Sequence, residues 1–90
     1  MAKYRVLIRK PAADELGRIP QKPLRRIVER IHSLGEEPRP QGSEKLSAQE
    51  RYRIRQGDYR IVYGIDDALR TVEIAKIGQR KAGRSTLTTT

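Results

Sequence analysis

The 90-residue chain contains no cysteine. Small domains outside a reducing compartment commonly lean on disulfides, so the absence excludes a disulfide scaffold and points to the cytoplasm. With no cysteine and a single histidine, His32, a structural zinc site is excluded too. His32 falls in a helical segment and reads as an ordinary helix residue rather than a catalytic one. No apolar run is long enough to span a membrane. Met1 to Lys10 alternates charged and apolar residues and builds no apolar signal stretch. No glycine-rich Walker loop occurs. Asp66 and Asp67 lie in a predicted turn, where aspartates serve as turn formers more readily than as metal ligands. Any chemistry therefore rests on Arg, Lys, Tyr and the substrate's own groups, and no metal or other cofactor is implied.

Acidic residues are also scarce. Eleven Asp and Glu stand against 20 Lys and Arg, for a formal charge of +9. Such an excess suits a polyanion: nucleic acid, an acidic membrane surface or an acidic protein. The 36% hydrophobic content is clustered well enough to fold one small domain, predicted over residues 1–84, with a flexible tail over 85–90.

The apolar periodicity sets the order of elements. Tyr4, Val6 and Ile8 alternate with Lys3, Arg5 and Arg9, as in a strand. Pro11 suits the start of a helix, with Asp14 and Glu15 in its first turn, and Gly17 and Pro20 end it. Leu24, Ile27, Val28, Ile31 and Leu34 form one helical stripe, with Gly35 as its stop. Pro38, Pro40 and Gly42 mark a loop. Period two then takes over: Tyr52 and Ile54, then Tyr59, Ile61, Tyr63 and Ile65, then a last strand from Thr71 to Ile77 ended by Gly78. The predicted fold is α+β, β-α-α-β-β-β, an antiparallel sheet with a two-helix hairpin packed on one face.

The turn Gln56-Gly57-Asp58-Tyr59 fixes a register. Glycine in the first central position suits a type II′ hairpin. Arg55 then faces Arg60, Ile54 faces Ile61, Arg53 faces Val62 and Tyr52 faces Tyr63. One face receives the helices; the other carries Arg51, Arg53, Arg55 and Arg60. Opposed like charges are destabilising in a sheet. Between 51 and 65 only Asp58, at the turn, is acidic. Arginine's planar fork suits phosphate oxygens, so this face is read as a phosphate-binding surface. A second basic group follows the last strand: Lys76, Arg80, Lys81 and Arg84.

Several segments together resemble the RelE/ParE toxin superfamily over nearly the whole chain. They are the opening strand followed by Pro11-Ala12-Ala13, the Arg-rich second helix, Lys45-Leu46, the run Tyr52-Arg53-Ile54-Arg55 with Gly57-Asp58-Tyr59-Arg60-Ile61-Val62-Tyr63, and Ile77-Gly78-Gln79-Arg80-Lys81. The resemblance implies the toxin of a type II toxin–antitoxin system, bound by a cognate antitoxin in a hetero-oligomer. RelE-like members enter the ribosome and cut the messenger without a metal, using the RNA's own 2′-hydroxyl. By position, Arg60 resembles the family's scissile-phosphate arginine, and Arg80 the arginine that stabilises developing charge. Arg53 and Arg55 fall where RelE-like members carry two lysines, completing the implied catalytic set. Lys45, Arg51, Lys76, Lys81 and Arg84 are the implied RNA-binding residues. Arginine is a poor general base, which leaves the base unassigned. The family's C-terminal tyrosine is unmatched, with Thr86 near its position. A ParE-like inhibitor of DNA gyrase without RNase activity, or a non-catalytic RNA-binding module, would share the fold and charge.

Overall fold

A computed structural model describes residues 3–46 and 51–79. The elements are β1 (Arg5–Ile8), α1 (Lys10–Leu16), α2 (Gln21–Glu36), β2 (Glu44–Leu46), β3 (Arg51–Gln56), β4 (Tyr59–Asp66) and β5 (Thr71–Gln79). The α+β class and the strand–helix–helix–strand order are as the periodicity predicts. The sheet has five strands in the order β1-β5-β4-β3-β2. Two features differ from expectation. A three-residue strand, β2, precedes the meander. In addition β1 lies parallel to β5, so the sheet is mixed. The helical hairpin carries the chain back along one face after β1, which leaves β1 at the free edge of the meander, parallel to its last strand.

The predicted hairpin register is the observed one, from Tyr52 opposite Tyr63 to Gln56 opposite Tyr59. Gly57 has φ 62° and Asp58 has none of the positive φ that a type I′ turn would require, which agrees with type II′. Between β4 and β5 the register shifts: Val62 pairs with Lys76, but Tyr63 pairs with Ile74. Ala75 is the extra residue, and this bulge lets Ile74 and Ile77, an odd number of positions apart, both face the core.

The core joins Ile54, Ile61, Tyr63, Val72, Ile74 and Ile77 from the sheet to Ala12, Ile19, Ile27, Ile31 and Leu34 from the helical layer. Leu24 packs at its margin, but Val28, placed on the stripe by its spacing, is 44% exposed. Its position turns away from the sheet, and the buried stripe is narrower than predicted. Gly35 does not stop α2; it is buried in the last turn, and Glu37 ends the helix. Its carbonyl, which a helix end leaves without an intrahelical partner, accepts the backbone N–H groups of Lys3 (3.0 Å) and Tyr4 (2.9 Å). Asp14 and Glu15 lie beyond the first turn of α1, because the helix begins at Lys10; they pair instead with Lys10 (3.3 Å) and Arg18 (3.8 Å). Gly78 does not end the last strand, which runs on to Gln79 and places Gly78 opposite Arg60. No described helix is long and apolar enough to cross a membrane.

Candidate functional site

The β3–β4 hairpin builds the site. Ile54 and Ile61 point into the core, so alternation sends Arg53, Arg55 and Arg60 to the other face. β2 stops covering the edge of β3 at Glu44, which pairs with Arg53. Beyond that point the edge is open. A cleft of about 440 Å³ forms there, lined by Arg30, Gln41, Gly42, Glu44, Arg53, Ile54, Arg55 and Arg60.

The electrostatics of this cleft are uneven. Arg53 Nη2 donates to Glu44 Oε1 at 2.6 Å. Between 51 and 65 the sequence offers the arginines no acidic residue except Asp58 at the turn, but β2 supplies one. The hydrogen bond and charge of Arg53 hold the Glu44 carboxyl below the usual carboxylate range against a small opposing effect of burial, with help from the charge of Arg55. Glu44 is thus ionised at neutral pH. By contrast, Arg55 and Arg60 face each other directly, and neither forms an ion pair among the described residues. Two unit charges about 6 Å apart repel by about 0.7 kcal/mol even in water. A sheet built for stability alone would put an opposite charge at one of these positions. Gly78, beside Arg60 on β5, adds no side chain, and a Cβ there would meet nothing within 4 Å, so Arg60 borders open surface.

The other sequence-predicted residues fall as follows. Arg51 and Lys76 share the outer face with Arg53 and Arg60, but Arg51 lies opposite Gly64 over a separate groove with Leu7 and Glu73. Lys45 pairs with Tyr52 and so belongs to the helix side of the sheet, not to the arginine face. Arg80, Lys81 and Arg84 lie outside the described residues, as does the predicted tail over 85–90. Two cleft residues escaped sequence reading. Glu44 sits on a strand too short to show periodicity. Arg30 is 26 residues from Gln56, whose Oε1 accepts a 3.1 Å bond from its Nε. The odd signal for Glu44 was an acidic residue immediately before Lys45-Leu46.

A second polar cluster is structural. Arg39 grips Asp67 with Nη2 to Oδ2 at 2.9 Å and Nη1 to Oδ1 at 3.3 Å. Tyr4 donates to Asp67 Oδ1 at 2.7 Å, and Arg39 Nε donates to the Tyr52 hydroxyl at 3.1 Å. The Arg39 bond, then the Tyr4 bond, hold the Asp67 carboxyl below its ordinary value. Tyr52 stacks on Tyr63, with ring centroids 5.8 Å apart, and the buried Tyr63 hydroxyl donates to the Pro38 carbonyl at 2.8 Å. The cluster ties the α2–β2 loop to the β4–β5 turn. Asp66 accepts the Leu69 N–H at 2.9 Å, as a turn former does. His32 is exposed on α2.

Residues 6–82 match the family model for the ParE toxin of type II toxin–antitoxin systems, parDE. The chain belongs to the RelE/ParE toxin superfamily. Toxin RelE of Mycobacterium tuberculosis is 38% identical over 87 residues, an alignment covering 88% of this chain and 84% of that protein. The archaeal RelE of the Pyrococcus horikoshii RelE–RelB complex superposes with a TM-score of 0.79 at 32% identity, covering 87% of this chain and 96% of that one. The RelBE2 toxin–antitoxin complex of M. tuberculosis gives 0.77 at 30% identity, covering 87% and 99%. A double arginine-to-alanine mutant of Escherichia coli RelE in the free state, at 21% identity and a TM-score of 0.74 over 97% and 93%, shares the fold. The chain is thus a RelE-like toxin of the type II class.

Proposed function

We propose that this toxin is a ribosome-dependent mRNA endonuclease of the cytoplasm, folded as one domain over residues 1–84 and silenced by a cognate antitoxin. The observation that carries the reading is the cleft. Arg55 and Arg60 are opposed there and form no ion pair among the described residues, beside the ionised carboxylate of Glu44. The solution of similar toxins as RelE–RelB and RelBE2 complexes supports the antitoxin partner and a hetero-oligomer.

Arg60 holds the non-bridging oxygens of the scissile phosphate, and Arg55 shares that charge. The messenger's 2′-oxygen attacks the adjacent phosphorus. The P–O2′ bond forms and the P–O5′ bond breaks, leaving a 2′,3′-cyclic phosphate and a 5′-hydroxyl. The 2′-hydroxyl proton passes to the Glu44 carboxylate, and the leaving 5′-oxygen takes a proton from water. Arg53 orients Glu44 and keeps it ionised. Arg80 stabilises the charge growing on the leaving oxygen. Lys45, Arg51, Lys76, Lys81 and Arg84 contribute sequence-independent backbone attraction. Preorganised cations at a developing charge act more strongly in the transition state than in the ground state.

Single-turnover cleavage on ribosomes programmed with a defined messenger tests this reading. Arg60→Ala and Glu44→Gln are expected to slow cutting by on the order of a hundredfold each, as loss of a transition-state partner does. Arg25→Ala removes the same charge from the exposed side of α2 and is expected to cut at the wild-type rate. Equal rates for all four proteins would remove Arg60 and Glu44 from the active site. The family-model match names ParE, which favours one other reading, inhibition of DNA gyrase without RNA cleavage. Absence of cleavage together with inhibited supercoiling would establish that reading instead.

A further inference from the structure

The basic surface does not end at the cleft. Arg30 lines the cleft and also a groove of about 370 Å³ with Arg26, Glu29, Ser33 and Gln56. Arg26 and Gln56 in turn line a third groove of about 380 Å³ with Lys22 and the hairpin turn. Neighbouring depressions share lining residues: Arg30 borders the first two, and Arg26 and Gln56 border the second and third. Lys22, Arg26 and Arg30 stand four residues apart on α2, so they form one ridge with a rise of about 6 Å between neighbours. That interval is comparable to the spacing of successive phosphates along an RNA strand.

Lys10, Arg18, Arg39 and Arg53 each pair with an acidic neighbour. No ion pair engages Lys22, Arg26 or Arg30 among the described residues, although Glu29 and Asp58 line the same grooves. Arg30 is held in place by Gln56 instead. None of the exposed large apolar residues Leu7, Ile8, Val28 and Leu69 lines these three depressions. A phosphate backbone is held by charge and hydrogen bonds and needs no apolar anchor.

We propose that Lys22, Arg26 and Arg30 form a track for a single-stranded RNA backbone, continuous with the cleft around the uncovered edge of β3. The inference rests on the reading of the cleft as an RNA site and extends it to a second segment of the bound strand. The track binds without sequence preference and carries no chemistry. Its signature is an affinity that rises with RNA length and a matching salt dependence.

The test uses the full chain with fluorescent 2′-O-methyl oligoribonucleotides, which lack the attacking hydroxyl and stay intact. Dissociation constants for a tetranucleotide and a dodecanucleotide are measured by anisotropy across a salt series. The wild type is expected to bind the longer strand more tightly and with a steeper salt slope. In the double variant Lys22→Gln/Arg26→Gln the dodecanucleotide slope is expected to fall by about 1.4, two contacts at about 0.7 each. Most of the gain from added length is lost with it. Arg25→Gln, on the same helix but off the ridge, should leave the slope as it is. Equal slopes for the double variant and wild type, or an equal fall in Arg25→Gln, would overturn the track. Loss of binding to a polyglutamate peptide with the RNA slope intact would also overturn it, as the mark of a protein-binding surface. A wild type that cuts no messenger but shows the expected slopes would refute the catalytic reading and leave the track standing.

Discussion

The opposed pair Arg55 and Arg60 should cost stability in proportion to what it gives in function. Arg60→Gln keeps part of the side chain's length and removes one charge. Opposed residues in an antiparallel pair have Cβ atoms about 5 Å apart, and two long side chains splay somewhat further. At about 6 Å in water, unit charges repel by about 0.7 kcal/mol. In a domain of this size 1 kcal/mol moves the melting temperature by about 4–8 °C, so the substitution should raise it by roughly 3–5 °C at low salt. The gain should shrink as salt approaches physiological strength, where the Debye length is about 8 Å. The same variant should lose on the order of a hundredfold in single-turnover cleavage. Differential scanning calorimetry at two salt concentrations, beside the cleavage assay, reads both effects. A lower melting temperature would mean that Arg60 has a structural partner, and the argument that its position is kept for ligand rather than fold would fail.

Other outcomes follow from the rest of the structure. Tyr63→Phe leaves the buried Pro38 carbonyl without its 2.8 Å donor and should cost about 1–3 kcal/mol in urea unfolding, with an unchanged slope. The Asp67 carboxyl lies below its ordinary value in the fold because Arg39 and Tyr4 bond its ionised form. Its contribution is therefore fully present above the unfolded value near pH 4 and is lost as pH falls through the lower folded value. Melting temperatures below about pH 4 should consequently fall more steeply for the wild type than for Asp67→Asn. The proposed chemistry uses the messenger's own hydroxyl and fixed arginines, so EDTA should leave the cutting step intact on ribosomes kept assembled by other means. Loss of the chemical step that only a divalent ion restores would refute the metal-independent route.

Much of this architecture was legible in the sequence, for local reasons. A two-residue turn with glycine in its first central position sets the pairing of every residue along β3 and β4, and with it the segregation of Arg53, Arg55 and Arg60 from Ile54 and Ile61. The helical stripe of Ile27, Ile31 and Leu34 is equally local. What escaped depends on contacts between distant segments. The parallel placement of β1 against β5 follows from how the helical hairpin returns the chain, which no strand pattern encodes. Gly35 could not be read as part of a helix, because the groups that satisfy its carbonyl come from the chain's beginning. The bulge at Ala75 was visible only as a break in parity between Ile74 and Ile77, and it explains why the core continues to the end of β5. Glu44, in the cleft, is a further case of this kind. Its meaning appears only when three residues of edge strand bring it within 2.6 Å of Arg53.

Toe-printing in a cell-free translation system on a defined messenger tests whether this toxin cuts messenger RNA on the ribosome with the Arg55, Arg60 and Glu44 cleft. With wild-type protein, new messenger 5′ ends are expected that appear only when ribosomes are present and that weaken strongly with Arg60→Ala. An intact messenger with wild-type protein, on ribosomes shown to have reached elongation, would contradict it.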